Sequence, residues 1–481
     1  MAQSIYWYDL ETSGTDPRWD RIVQFAGLRT DLELNEVGDE LSTYVRLADD
    51  VLPNPDASLV TGITPQRTAA EGIDEWQAFR HISALFGSPQ TCVAGYNNLR
   101  FDDEFVRFGL YRNLMDPYAR EWQGGNSRWD IIDLVRATGA LRRDGIEWPM
   151  DADGLPVYRL ELLSAANGLD HGQAHDALAD VRATVALARL IRSRQPKLFD
   201  YYFSARAKRN VKALLEPYGA RLCVHVSGMY PRSQFGVAPV VSLCRHPTNS
   251  NAVVVADLSR DVEPLLEWPE QRIREELFRE GNPERPPLKE IRINRCPFVA
   301  GIEVLTDENW ARLGFDRRVI EERQRRLRRP GLAQKLQRVY AKATRAEAVD
   351  VDAALYDGFV DDADRSRCQQ LQADLARGVW QDLDFADRRL PTLAGRLKAR
   401  SFPDLLDDAE RADWYEFVRA RLSAGEQAAW LSLDGFRKRL AELEGQLEAQ
   451  GSLASGPNAE AATVLAALRE HERTLAAAYG L

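Results

Sequence analysis

The stretch SIYWYDLETSGTDP, residues 4–17, decides the fold, because an apolar run leads directly into two carboxylates and then into a turn. Side chains alternate between the two faces of a strand, so Asp9 and Glu11 lie on one face and can share a cation. The turn that follows places both acids at the carboxyl end of the strand, where the sites of α/β proteins usually form. A solvated strand end is the alternative interpretation of the same pattern.

Outward from this stretch, the hydrophobic pattern predicts an α/β domain in which helices cover a mixed sheet. Strand-like runs cover 4–10, 22–28, 41–47 and 91–96, and helical patterns cover 76–86, 102–114, 129–141, 160–166 and 177–192. Short β-rich pieces between 222 and 302 predict a small barrel. Beyond Trp310 nearly all of the chain has a helical period, which predicts a helical third domain.

The length and composition agree with three domains of a globular protein. A chain of 481 residues suggests about three domains, with boundaries at 1–195, 196–348 and 349–481, the second including a basic helical extension. No apolar run is long enough for a membrane span, and the start lacks the basic residues of a secretory signal. Five cysteines without CxxC spacing argue against a disulfide framework or a thiolate zinc site. We therefore expect a cytoplasmic protein with no membrane partner.

The charge of the chain is unevenly distributed. The formal net charge is −10, but residues 312–345 hold twelve arginines and lysines against three acidic residues, a local charge of +9. Local charge decides whether a polyanion can bind, so the acidic average does not exclude a nucleic-acid partner. A solvated basic helix is the alternative.

A second group of acids occurs in NNLRFDDEF, where Asn97 or Asn98 leaves a buried strand and Asp102 enters a helix. A helix macrodipole favours acids in the first turn by about 0.3 to 1 kcal/mol, which is a structural reason for an acid there. Asp103 or Glu104 could equally be that capping acid.

A third group occurs in HGQAHDALADVRAT, where His175 precedes Asp180 by five residues. On an ideal helix the two side chains would point about 140° apart, so they converge only if His175 lies before the helix begins. His171 is the rival histidine, and a surface histidine beside an amphipathic helix is the structural alternative.

Together the three groups supply four carboxylates and one histidine, which is a ligand set for Mg²⁺ or Mn²⁺ rather than zinc. Four acids gathered at one point would repel each other and raise one another's pKa values unless divalent cations lay among them. Two ions account for them best.

These motifs resemble those of the histidine branch of the DEDD exonuclease superfamily. In addition, the phrases LVTGITPQ, AGYNNLRFDDE, NSRWDIIDLVRA, DGLPVYRLE, AHDALADV, HVSGM, INRCP and LYDGF resemble the bacterial exodeoxyribonuclease I family in the same order. The resemblance covers essentially the whole chain. It implies an RNase H-like exonuclease domain, then an SH3-like β-barrel domain, then an α-helical domain.

The resemblance also implies the function: processive 3′ to 5′ hydrolysis of single-stranded DNA to 5′ mononucleotides, in DNA repair, by a monomer. It implies that Asp9, Glu11, Asp102 and Asp180 hold two Mg²⁺ ions and that His175 takes the proton of the attacking water. Glu11 would also meet the 3′ hydroxyl, and Arg159 would contact a phosphate. A 3′ exoribonuclease or proofreading exonuclease, and a nucleic-acid-binding adaptor with a lapsed site, are the alternatives.

Aromatic and basic residues that follow one another are typical of single-strand binding, because bases stack on rings while cations hold the phosphates. Such residues near the first domain junction are Tyr201, Tyr202, Arg206, Lys208 and Arg209, and candidates nearer the site are Arg107, Tyr118, Trp122, Arg128 and Arg136. Packing of the rings and solvation of the arginines are the alternatives. By resemblance, the basic segment receives the acidic C-terminal tail of single-strand-binding protein, with Arg317 and Arg328 as the best positions.

Overall fold

The computed structural model describes residues 3–169, 177–341, 348–425, 427–449 and 457–481. The strands are β1 (Ser4–Thr12), β2 (Ile22–Thr30), β3 (Glu36–Tyr44), β4 (Thr91–Gly95), β5 (Ser127–Asp130), β6 (Leu222–Val226), β7 (Val237–Arg245), β8 (Ala252–Asp257), β9 (Leu288–Arg292) and β10 (Phe298–Gly301).

The helices up to the end of the second sheet are α1 (Pro55–Thr61), α2 (Pro65–Glu71), α3 (Glu75–Gly87), α4 (Asp102–Arg112), α5 (Ile132–Leu141), α6 (Leu160–Ala166), α7 (Ala177–Arg194), α8 (Pro196–Ser204), α9 (Lys208–Leu215), α10 (Glu263–Glu267) and α11 (Glu270–Phe278). Those that follow are α12 (Asp307–Leu313), α13 (Arg317–Leu327), α14 (Leu332–Tyr340), α15 (Asp362–Leu375), α16 (Leu390–Ser401), α17 (Asp408–Leu422), α18 (Leu433–Ala449) and α19 (Pro457–Tyr479). Among the described residues, no helix combines the length and the apolar character that a membrane crossing requires.

The first five strands form one mixed sheet in the order β3-β2-β1-β4-β5, which confirms the predicted α/β class. Strand β1 is antiparallel to β2 and parallel to β4, and β4 is parallel to β5. One face of β1 places Ile5 and Trp7 against α7, while the other places Tyr6 and Tyr8 against α3 and α4. Burial on both faces explains why residues 5–8 of this strand are continuously apolar.

Two details of the predicted sheet are wrong. The strand expected at 41–47 is β3, Glu36–Tyr44, a polar edge strand that is mostly exposed and therefore shows no apolar alternation. The helix expected at 129–141 begins only at Ile132, because Trp129 and Asp130 belong to β5. A short buried strand cannot be told from a buried helix by periodicity alone.

The predicted β-rich segment forms a second, wholly antiparallel sheet in the order β10-β6-β7-β8-β9. Helix α8 joins the two sheets: Trp129 of β5 packs against Phe199 and Phe203, with ring centroids 5.3 and 5.0 Å apart. The buried hydroxyl of Tyr202 donates to the backbone oxygens of Asp130 at 3.0 Å and Cys296 at 2.5 Å. One apolar core therefore runs through both sheets.

The last helices pack against the first sheet through buried charges as well as apolar contacts. Arg400 Nη2 lies 2.7 Å from Asp50 and 2.6 Å from Asp352, and Arg21 lies 3.2 Å from Asp352. Burial alone would raise the pKa of Asp352, but the guanidinium groups of Arg400, Arg396 and Arg21 outweigh it and hold the pKa well below its usual range. This network fixes the helical domain to the strand that begins at Ile22.

Asp352→Ala is expected to lower the free energy of unfolding by about 3 to 5 kcal/mol at pH 7, because it leaves buried guanidinium groups without their counter-charge. The folded-state pKa of Asp352 is depressed, so its contribution is present above about pH 4 and is lost as the pH falls through the folded-state pKa. Urea unfolding of variant and parent should therefore differ less in acid. Glu71→Ala, which removes the exposed partner of Arg67, is the control and should change stability by less than about 1 kcal/mol.

Candidate active site

The first strand and helix α7 bring three carboxylates together. Asp9 and Glu11 follow Ile5 and Trp7 on the face of β1 that α7 covers, and Asp180 lies in the first turn of α7. One oxygen from each of Asp9, Glu11 and Asp180 lies within 4.8 Å of the other two. Asp9 and Glu11, two residues apart in the strand, therefore lie on one face as their spacing predicts. The oxygen donors of the three acids suit a hard divalent cation.

The fourth predicted acid, Asp102, is the first residue of α4 and is buried. After burial, its negative charge is the largest influence that raises the pKa of Asp9. Asp102 thus belongs to the same electrostatic cluster as the three acids above.

The pKa values of Asp9 and Asp102 show that bringing these acids together disfavours their charged forms. Burial is the largest cause that raises the pKa of Asp9 well above its usual value, and the charges of Asp102, Glu11 and Asp180 add to it. Burial also raises the pKa of Asp102, with further contributions from Asp130 and Glu11, against a hydrogen bond from its own backbone N–H. A bound cation would lower both pKa values, so the carboxylate set suits a divalent cation.

The neighbouring acids Asp103 and Glu104, which the sequence left as alternatives to Asp102, have different partners. Asp103 accepts a hydrogen bond from Arg120 at 2.6 Å and pairs with Arg128. Burial would raise the pKa of Asp103, but Arg120, Arg128 and Arg107 together lower it. Glu104 pairs with Arg107 at 2.9 Å and Arg295 at 2.6 Å. Asp102 is therefore the member of the three that faces the cluster.

Asp130, which the sequence analysis did not single out, shapes the turn before Asp102. Its buried carboxylate accepts hydrogen bonds from the backbone N–H groups of Asn97 at 2.9 Å and Leu99 at 3.2 Å. Burial raises the pKa of Asp130 to about 6 despite a hydrogen bond from Ile132. It fixes the turn that delivers Asp102. Its position at the end of a short strand is the available signal, but the sequence pattern predicts a helix over 129–141.

The predicted catalytic histidine, His175, lies outside the described residues, as does its rival His171. Of the four proposed metal ligands, Asp180 is the one closest to His175 in the sequence. The role of His175 stays a prediction.

The predicted strand-binding residues differ widely in accessibility. Arg107, Arg128 and Tyr202 are buried; Tyr118, Arg136 and Arg206 are partly exposed; and Trp122, Arg159, Tyr201, Lys208 and Arg209 are exposed. Trp122 is 67% exposed, and the side chain of Arg159 is 68% exposed. Arg206 stacks on Phe203 with its guanidinium carbon 3.7 Å from the ring centroid.

The three buried members have structural partners. Arg107 and Arg128 each lie 2.8 Å from Glu121, and Arg128 also pairs with Asp103. Tyr202 lies in the core between the sheets, as described above. These contacts favour the structural alternative for Arg107, Arg128 and Tyr202.

The two predicted partner-peptide residues, Arg317 and Arg328, are exposed at the two ends of α13. The guanidinium carbon of Arg317 lies 5.0 Å from the ring centroid of Trp310. Within the described part of the basic segment, Arg326 pairs with Glu263, and Arg329 lies 3.6 Å from Glu267. Lys342 and Arg345 lie outside the described residues.

Comparison with known proteins identifies all three parts of the chain. A family model described as "Exonuclease" matches residues 6–188, the Exonuclease I SH3-like domain matches 206–342, and the Exonuclease I C-terminal domain matches 349–475. The second sheet is thus the SH3-like unit that the resemblance implied.

Whole-length relatives give the same result. Exodeoxyribonuclease I of Escherichia coli is 44% identical over 426 residues, which is 87% of this chain and 90% of that protein. The structure of Exonuclease I from Methylocaldum szegediense superimposes with a TM-score of 0.91 at 44% identity, over 98% of this chain and all of the other. E. coli Exonuclease I in complex with a dA16 oligonucleotide gives a TM-score of 0.91 at 40% identity, over 98% and 100% of the two chains. The chain therefore belongs to the exodeoxyribonuclease I family.

Proposed function

We propose that this protein removes nucleotides from the 3′ end of single-stranded DNA and releases 5′ mononucleotides, with divalent cations as its cofactor. The observation that carries the proposal is the carboxylate cluster: three acids within 4.8 Å of one another, joined by a buried fourth. The E. coli relative that was solved with a dA16 oligonucleotide supports a single strand as the substrate.

Asp9, Glu11, Asp102 and Asp180 would hold the metal, which we infer to be two Mg²⁺ ions, with Mn²⁺ able to substitute. The chemistry of the donor set supports this choice, since Mg²⁺ and Mn²⁺ prefer carboxylate oxygens. When bound, the ions supply Lewis-acid activation of the phosphate and of water. The raised pKa values of Asp9 and Asp102 make binding dependent on pH, because a carboxyl must lose its proton to become a ligand.

The remaining roles fall to residues around the cluster. We assign proton abstraction from the attacking water to His175, and contact with the terminal 3′ hydroxyl to Glu11. Among the described residues, Arg159 has an exposed 3.0 Å ion pair with Glu161, which is a weak interaction. Its guanidinium can therefore be redirected to a phosphate, whose oxygens it can pair in a bidentate manner.

We further propose that digestion is processive and serves DNA repair, and that the enzyme acts as a monomer. The described cysteines are all unpaired thiols, which agrees with the cytoplasm as the compartment. The basic helix α13 would receive the acidic C-terminal tail of single-strand-binding protein through Arg317 and Arg328. Complementary charge would speed that encounter and make it sensitive to salt.

Asp9→Asn is expected to reduce turnover by at least about 100-fold, because it removes a carboxylate from the metal site. Release of nucleotides from a labelled single strand measures the loss. Glu33→Gln, an exposed acid elsewhere in the first sheet domain, is the control and should keep normal activity. Full activity of Asp9→Asn would contradict the proposal.

The stability of Asp9→Asn without metal tests whether the clustered acids repel each other. The folded-state pKa of Asp9 is raised, so the folded protein loses stability as the pH rises above the unfolded value near 4. At pH 7 in EDTA, Asp9→Asn should therefore melt at a higher temperature than the parent, and Mg²⁺ should raise the Tm of the parent more than that of the variant. A lower Tm for Asp9→Asn in EDTA would show that the acids do not repel each other.

The substrate choice can be tested with three 5′-labelled polymers offered side by side in Mg²⁺: a DNA strand, the corresponding RNA and a blunt DNA duplex. We expect a ladder of shortened products from the DNA strand alone, and no products in EDTA. Equal digestion of the RNA would favour the exoribonuclease alternative, since carboxylates and metal do not sense a 2′ hydroxyl.

The partner surface predicts that Arg328→Glu weakens binding of an acidic peptide ending in a free carboxylate by at least about tenfold, because it replaces attraction with repulsion. Fluorescence anisotropy of the labelled peptide measures the change. Arg365→Gln, an exposed arginine of α15, is the matched control. Unchanged affinity of Arg328→Glu would place the peptide elsewhere.

A further inference from the structure

One hydrogen bond links the sequence motifs AGYNNLRFDDE and DGLPVYRLE. The hydroxyl of Tyr96, in the first motif, donates to the backbone oxygen of Tyr158, in the second, at 2.5 Å. Tyr158 directly precedes Arg159, the proposed phosphate contact. None of the roles described above uses Tyr96 or Tyr158.

Tyr96 belongs to the sheet that carries the catalytic acids. It follows the last residue of β4, and β4 is parallel to β1 with Ala94 opposite Trp7. Tyr96 and Asp9 each lie two residues beyond that pair, so they lie at the same level and on the same face of the sheet. The ring of Tyr96 packs against the core that α7 covers. Its hydroxyl therefore connects the sheet of the acids to the segment that carries Arg159.

The hydroxyl of Tyr96 is a hydrogen-bond donor throughout the physiological pH range. Burial is the largest cause that raises the pKa of Tyr96; Arg136 opposes this shift, whereas Asp130 and Glu161 add to it. The phenol therefore keeps its proton. A hydrogen bond in a poorly solvated place is also stronger than one in water.

Ring packing fixes Tyr158 from the other side. The ring of Tyr158 meets that of Trp148 edge to face, with the centroids 6.0 Å apart. A Cβ atom built on Gly139 would lie 2.8 Å from Cε1 of Tyr158 and 2.9 Å from Cζ3 of Trp148. The backbone of α5 therefore packs directly on both rings, and a side chain at position 139 would displace them.

Arg159 consequently extends from a fixed piece of backbone. The carbonyl group before it accepts from Tyr96, and its own carbonyl group accepts from the N–H of Leu163 at 3.0 Å. Between these two bonds Arg159 is extended, with φ −82° and ψ 135°, immediately before α6 begins. Two bonded peptide groups fix the direction in which the exposed side chain leaves the backbone.

We propose that Tyr96 is a positioning residue for phosphate binding: its hydroxyl fixes the peptide group before Arg159 and so sets where that guanidinium lies relative to the carboxylate cluster. Tyr96 acts through Arg159 rather than on the substrate. The inference rests on the proposed function, because it requires Arg159 to contact a phosphate. A displaced guanidinium loses the geometry that bidentate pairing with phosphate oxygens requires.

Tyr96→Phe tests this role because it keeps the ring, removes the hydroxyl and changes no charge. It should reduce kcat/KM for single-stranded DNA by about fivefold, whereas Arg159→Gln should reduce it by at least about tenfold, since a charge-assisted hydrogen bond is weakened or lost. Affinity for a fluorescent oligothymidylate in EDTA, measured at several salt concentrations, gives a second readout. The slope of log affinity against log salt should fall by about 0.7 in Arg159→Gln and by a measurable part of that in Tyr96→Phe.

Tyr6→Phe is the matched control. The hydroxyl of Tyr6, in β1, donates to the backbone oxygen of Asp39 at 3.1 Å, which is the same kind of bond on the β3 side of the same sheet. Tyr6→Phe should lower the Tm about as much as Tyr96→Phe does, while kcat/KM and the salt slope stay parental. Equal kinetic losses in the two variants would overturn the proposal, because they would reflect a general loss of stability.

A double variant tests whether Tyr96 acts through Arg159. Adding Tyr96→Phe to Arg159→Gln should lower kcat/KM by less than about twofold beyond Arg159→Gln alone. Additive losses would overturn the proposal. If Tyr96→Phe does not fold, Gly139→Ala decides the question, because it displaces the ring of Tyr158 and should likewise lower the salt slope without adding to Arg159→Gln.

Failure of this inference is distinguishable from failure of the proposed function. If the parent releases no nucleotides from the single strand, the proposed function fails. Parental kcat/KM and salt slope in Arg159→Gln would overturn the phosphate contact and, with it, the role of Tyr96. If Arg159→Gln is impaired while Tyr96→Phe and Gly139→Ala keep parental values, the role of Tyr96 alone is overturned.

Discussion

Repulsion among buried carboxylates is the constraint on which this structure depends. Asp9, Glu11 and Asp180 lie within 4.8 Å of one another, and Asp102 adds a fourth negative charge. Such a group would separate in a flexible protein, since like charges in a poorly solvated site strongly disfavour each other. It stays together here because β1 is buried on both faces and α7 packs directly on it. Rigidity of the core is therefore what makes the site a ligand set for cations.

The sequence could predict the placement of acids that follow the regular period of a strand. It could not predict the placement of acids whose partners lie far away in the chain. Asp9 and Glu11 are paired by the alternation of a strand, and that pairing is what the structure has. Nothing in NNLRFDDEF distinguishes Asp102 from Asp103, because the distinction lies in Arg120 and Arg128, which are 17 and 25 residues away in the chain.

The same limit applies to the interpretation of arginines and of short strands. A sequence shows positive charge but not the carboxylates that pair with it, so Arg107 and Arg128 are predicted as DNA contacts while the structure pairs them with Asp103 and Glu121. Strand β5 has only four residues, three of them buried, which is too short a pattern to predict a strand or to single out Asp130, whose hydrogen bonds shape the turn before Asp102. The three-domain order needed only changes of period, so it could be recovered along the whole chain.

The acidic site must act on a negatively charged polymer. Positive charge therefore has to come from elsewhere in the chain, including the second domain. Cations bound by the acids can neutralise the last phosphate, but the phosphates behind it need positive charges at fixed places. Arginines of the first domain alone tend to pair with its own acids, as Arg107 does with Glu121. The loop after β6 restrains Lys289 through Ser227 and packs Gly228 on Arg136, so cations of both sheets lie close to one another. Because the hydroxyl of Tyr202 ties the end of β5 to the backbone at Cys296, the first sheet that carries the acids and the second sheet share one rigid support.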